Sequence, residues 1–136
     1  MTNVKSLKKT FSLAKKVGFV FMATAGAKGL PHVAAAAKIS QTADIERVAV
    51  EAWFCPETVA NLQTNCFVAL IIWDPKSDHG YQLLGETEKI EETALLNGYL
   101  PRVEDKSSLP QVERRLLIRV DKVLKFSQAP HTDEEE

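Results

Sequence analysis

Only two cysteines, Cys55 and Cys66, occur in the 136 residues. They form no Cys-x-x-Cys pair and no metal-ligand group, so neither a disulfide framework nor a zinc site organises this chain. Long apolar runs are also missing, and nothing approaches the roughly 20 residues that a membrane-spanning helix needs. The N-terminal stretch MTNVKSLKKTFSLAKKVG interrupts its apolar residues with lysines and has no continuous signal-peptide core. The expectation is a cytoplasmic protein. Excess charge is absent too: the formal net charge is −1, so no global field draws nucleic acid or a membrane surface. There is no Gly-x-Ser-x-Gly elbow, no phosphate loop ending in Lys-Ser/Thr and no His-Glu-x-x-His. These absences weigh against a hydrolase.

What remains is one globular domain, 45% hydrophobic and 26% charged, long enough to bury a core. It spans residues 1–128, with an acidic tail over 129–136 that reads as disordered. Val4, Leu7, Phe11 and Ala14 recur at helical spacing and predict an amphipathic helix over 3–16. Its lysines read as a solvated face. Phe19 to Ala25 reads as a strand, Gly26 to Gly29 as a turn and Pro31 to Ser40 as the returning strand. Arg47 to Phe54 alternates as a third strand. Pro56, Glu57 and Thr58 open a helix over 56–64, since proline suits a first turn and glutamate its dipole. Cys66 to Trp73, Tyr81 to Glu91 and a segment within Gln111 to Phe126 supply three more strands, with a short helix expected near 93–98. The fold class is mainly β (α+β): a six-stranded antiparallel barrel with a few short helices.

One stretch is unusual. In FVFMATAGAKGLPHVAAAAK the returning strand carries almost no side-chain bulk, from Ala34 to Ala37. Either these alanines pack under a bulky neighbour, or they leave room for a flat ligand or a second chain. Three segments taken in order, FMATAGAKGLPHVA, AVEAWFCPETVANLQTNCFVALIIWD and GYQLLGETEKI, resemble the pyridoxamine-phosphate-oxidase-like, FMN-binding split-barrel family. The resemblance covers roughly residues 10–92. It implies a split barrel, a homodimer, and FMN in grooves at the subunit interface with its ring along the strand after the glycine turn.

Carried onto this chain, the resemblance implies Ala35, Ala36 and Ala37 beside the ring and Lys38 near the phosphate. Trp53, Phe54 and Cys55 would wall the ring, Thr58 and Asn61 would bind phosphate, and Gln82 would supply a polar contact. The start of the mid-chain helix departs from the family. Pro56 has no N–H to offer, and Glu57 places a negative charge where the family commonly has a basic residue. The resemblance therefore implies an oxidoreductase or electron-transfer flavoprotein that accepts electrons from a small molecule or redox protein, without pyridoxamine-phosphate oxidase activity. The alternative is a non-catalytic barrel that holds haem, another flavin or no cofactor. Because a flavin carries its own redox chemistry, a missing acid–base set does not count against the first reading.

Other residues have two readings each. Trp53 and Phe54 suit a core as well as a ring wall. Tyr81 and Gln82 equally suit an edge surface. Cys55 before a helix is either a reactive thiolate or a small buried thiol. Asp74, Asp78 and His79 match no metal-ligand spacing and read first as turn chemistry. His32 follows a turn proline, and the glutamates from Glu86 to Glu92 read as a solvated strand face.

Overall fold

The computed structural model describes residues 4–53, 56–96, 111–130, 132 and 135. Helix α1 (Val4–Val17) is followed by strands β1 (Val20–Ala25), β2 (Pro31–Ala36), β3 (Lys38–Gln41) and β4 (Arg47–Trp53). Helix α2 (Pro56–Thr64) then leads into β5 (Phe67–Asp74), β6 (His79–Leu96) and β7 (Gln111–Phe126). All seven strands belong to one sheet of order β2-β1-β5-β6-β7-β4-β3, and each pairing is antiparallel.

The expected returning strand is present, but it is divided at Ala37. Its first half pairs with β1 at one edge of the sheet, and its second half pairs with β4 at the other. A single continuous segment therefore serves both edges, so the sheet has to curl on itself, and the six expected strand segments give seven strands. This is a split barrel.

The inward face is continuous. Val20 and Met22 of β1, Val48 and Val50 of β4, Leu70 and Ile72 of β5, and Leu116 and Ile118 of β7 are all buried. Helix α1 packs on β3, β5 and β6, while α2 packs on β1 and β2. On α1, Thr10 is buried and its hydroxyl donates to the Ser6 carbonyl at 2.8 Å, which satisfies a polar group facing the core. The helix ends at Gly18, whose φ of +92° is left-handed and whose N–H donates to the Ala14 carbonyl, a common glycine stop.

Strand β6 is longer than the sequence predicts. Residues 93–96, expected to begin a short helix, continue the strand because Ala94, Leu95 and Leu96 pair with Glu113, Val112 and Gln111. Positions 97–98 of that expected helix lie outside the described residues. In the turn after β5, Asp74 accepts the Lys76 N–H and the Ser77 hydroxyl, each at 3.1 Å. Asp78 accepts the Trp73 indole N–H at 3.0 Å and the Gln128 and Ala129 N–H groups. These acids do turn chemistry. Of the expected tail, residues 131, 133–134 and 136 lie outside the described set, and Glu135 makes an isolated bridge with Leu124.

Candidate functional site

The outward face of the barrel has two unlike halves. Cross-strand register aligns Ala35, Phe21, Ile71, Gln82 and Leu124 in one row over β2-β1-β5-β6-β7. The next row is Val33, Ala23, Ala69, Leu84 and Lys122. On this half Val33 is 60% exposed, Phe67 62% and Phe21 38%. Phe19 and Phe21 meet edge to face with centroids 5.1 Å apart. Several large apolar side chains left open on one sheet face are what an interface or ligand surface looks like before it is covered.

The other half is an ionic ladder. Arg47 bridges Glu88, with Nε to Oε1 at 2.5 Å, and also pairs with Asp44. Arg119 pairs with Glu86 and, at 3.2 Å, with Asp121. Arg115 reaches Glu91 at 3.4 Å and Glu51 at 3.8 Å. The hydrogen bond from the Arg47 guanidinium holds the Glu88 carboxyl below its ordinary range. The Glu46 backbone N–H, and then Arg47, do the same for Asp44. Such a network suits permanent contact with water.

A groove of about 510 Å³ lies between the end of α1 and β3, lined by Phe11, Lys15, Phe19, Ala37, Lys38 and Ser40 among others. Two of the sequence-predicted residues, Ala37 and Lys38, therefore share one concavity. It also contains Lys15, whose place among other lysines predicts only a solvated helix face. Neither Lys15 nor Lys38 has an acidic partner among the described residues. Glu51, the ladder neighbour of Lys38, is instead paired with Arg115. Two uncommitted ammonium groups with small and aromatic walls form a donor set that fits the phosphate of FMN.

The other predicted residues are dispersed. Ala35 and Gln82 share the first outer row, whereas Ala36 points inward and is buried. Thr58 and Asn61 are buried under α2, and the Asn61 amide donates to the Thr24 hydroxyl at 3.1 Å. Their spacing, with Leu62, is i, i+3, i+4, so they occupy the helix face turned to β1. Pro56 and Glu57 are exposed at the start of α2. The Trp53 backbone ends β4 opposite Glu113, and Phe54 and Cys55 lie outside the described residues. Cys66 is a free thiol, 3.6 Å from a Glu86 carboxylate oxygen.

Fold and surface together define a split-barrel protein with one apolar outer half. The family model for pyridoxamine 5'-phosphate oxidase matches residues 7–123, and the chain belongs to that family. Among solved structures it resembles an FMN-binding protein from Syntrophomonas wolfei subsp. wolfei, with a TM-score of 0.67 and 14% identity over 93% of this chain and 89% of that one. A Clostridium acetobutylicum protein related to general stress protein 26, of the pyridoxinephosphate oxidase family, gives 0.64 and 15% over 98% and 96%. HutZ, the haem storage protein from Vibrio cholerae, gives 0.58 and 15% over 93% and 95%. At these identities the likeness is one of fold. No curated protein sequence matches the chain.

Proposed function

We propose that this protein is an FMN-binding flavoprotein, an oxidoreductase or electron-transfer protein that works as a homodimer in the cytoplasm. The observation that carries the reading is the adjacency of three features. An exposed apolar sheet face holds Phe21, Val33 and Phe67, an edge strand is thinned to alanine at Ala35 and Ala37, and a groove holds Lys38 and Lys15. Lys38 and Lys15 bind the phosphate. The small side chains at Ala35 and Ala37 admit a flat ring against the backbone, and Gln82, half-buried in the same row as Ala35, offers an amide. Thr58 and Asn61 hold α2 on β1. A second copy of the chain covers the apolar half and leaves the ionic half in water.

Bound flavin supplies the hydride or electron exchange, with electrons delivered by a small molecule or a redox protein. Among the described residues no helix is long and apolar enough to cross a membrane. The exposed Glu57 at the start of α2, and the missing N–H of Pro56, set this chain apart from a richly basic phosphate site and argue against pyridoxamine-phosphate oxidase activity. Those same two residues, with the likeness to a haem storage protein, favour a second reading: a barrel of the same build holding haem or another flat ligand, or none.

The visible spectrum of the freshly purified protein, followed by titration of stripped protein with FMN and separately with haemin, decides between them. A flavin spectrum, or saturable FMN binding at one per chain that weakens in Lys38→Ala, supports the first reading. A Soret band with no response to FMN supports the second.

A further inference from the structure

A larger groove, about 900 Å³, opens on the other side of α1, against the start of β6 and the end of β7. Its helix wall presents Lys8, Lys9, Ser12 and Lys16. Their spacing puts them on one face, opposite the buried Leu7, Thr10 and Ala14. The strand wall adds Lys125, with the rings of His79 and Phe126. His79 lies edge to face with Tyr81, their centroids 5.1 Å apart.

The charge here is concentrated on one helix. All 18 acidic residues of the chain occur at Asp44 or later, whereas seven of the 17 basic ones precede it. The near-neutral total conceals a basic N-terminal element. Lys16 pairs with Asp74 at 3.2 Å, but Lys8 and Lys9 are exposed and have no acidic partner among the described residues. The acid lining the groove, Asp78, accepts from the Trp73 indole and two backbone N–H groups.

We propose that this groove binds an organic polyphosphate of nucleotide type, with its phosphates on Lys8, Lys9, Lys16 and Lys125 and its flat ring against His79 and Phe126. Lysine ammonium groups bind phosphate as mobile point charges and need no fixed fork geometry. From Lys8 to Lys16 the helix rises about 12 Å, a length suited to one nucleotide and short for a nucleic-acid strand. The groove volume lies within the usual range for small-molecule sites. This site is separate from the Lys38 groove and does not depend on flavin being bound.

The test is calorimetric titration of the full chain at low ionic strength with ADP, pyrophosphate and adenosine. ADP binds saturably at one per chain and weakens with added salt, pyrophosphate binds less tightly, and adenosine gives no measurable heat. Lys8→Glu/Lys9→Glu weakens ADP binding roughly tenfold or more, and Lys8→Gln/Lys9→Gln by less, with melting temperatures unchanged. Lys38→Glu leaves ADP binding intact. The assignment is overturned if wild-type protein does not bind ADP, if the double variants bind it as tightly, or if Lys38→Glu abolishes it. Pyrophosphate binding as tight as ADP would overturn the nucleotide assignment.

Discussion

Replacing Gly85 by alanine isolates a purely steric requirement in the sheet. Gly85 sits at a register shift where β6 crosses β7. A Cβ there would collide with the Arg119 carbonyl oxygen and lie 3.2 Å from the Val120 Cα, against 3.4 Å where ordinary contact begins. The obstacle is backbone, so no rotamer relieves it, and β6 and β7 must part locally. Losing about two ladder hydrogen bonds costs about 1 kcal/mol each, and the overpacking adds about 1–2 kcal/mol. The total is about 3–4 kcal/mol, or roughly a 10 °C fall in melting temperature for a domain of this size. Gly29→Ala is the control. Gly29 has a left-handed φ of +79°, and a methyl group placed there would meet nothing within 4 Å, so it incurs only the conformational cost, about 1 kcal/mol. Thermal and urea unfolding followed by circular dichroism measure both. A Gly85→Ala midpoint within about 3 °C of wild type, or a larger loss for Gly29→Ala, would refute the steric reasoning.

Two further outcomes follow from the two outer halves of the barrel. Phe67→Lys places a charge at the border of the proposed subunit contact, beside its cross-strand neighbour Glu86, and should weaken dimerisation by roughly 30-fold, about 2 kcal/mol, with little change in the monomer fold. Light scattering across a dilution series checks it, and an unaltered mass curve would count against a dimer through this face. On the ionic half, Glu88 and Asp44 have depressed carboxyl values in the folded state. Their contribution to stability is therefore fully present above the ordinary carboxylate range and is lost as pH falls through the depressed values. Melting temperature should hold from neutrality to about pH 5 and decline below about pH 4, with a shallower decline in Arg47→Gln. Parallel curves for the two proteins would remove the ladder as a cause of acid unfolding.

Much of the fold was legible because local and long-range signals agree. Alternation in LLIRVDKVLKF marks a strand, and the unbroken apolar run CFVALIIW marks another, which reads as fully buried but in the sheet is buried only at alternate positions. Where they disagree, the sequence misleads. Residues 93–96, Thr-Ala-Leu-Leu, carry helix formers, yet pairing with residues 111–113 keeps them in β6 because cross-strand contacts outweigh weak propensity. The bend at Ala37 had no punctuation to announce it: four identical side chains offer no local cue, and only the distant partners β1 and β4 decide where the segment divides. Of the two lysines lining the groove beside α1, the family pattern points to Lys38. It does not point to Lys15, since a lysine among lysines reads as solvated surface until α1 is docked beside β3. The resemblance points to Thr58 and Asn61 as phosphate ligands, whereas on α2 both are buried with Leu62 on the face turned to β1.

The alanine run therefore has two causes, and they can be separated. Ala36 is 2% exposed and pairs with Val20, itself fully buried, so barrel packing accounts for its size. Ala35 is exposed and pairs with Phe21 on the outer row, so burial in the core does not account for its size. Ala36→Leu should overpack the core, cost about 1–3 kcal/mol and lower the melting temperature by roughly 4–10 °C. Ala35→Leu should leave the melting temperature of the flavin-free, dilute protein within about 2 °C and still weaken FMN binding by roughly tenfold or more, about 1.4 kcal/mol. Thermal melts and flavin fluorescence titrations on the two variants test this. If Ala35→Leu destabilises as much as Ala36→Leu, the fold alone requires every alanine and the strand says nothing about a ring. If it leaves both stability and FMN affinity untouched, any flat ligand must lie elsewhere on the barrel.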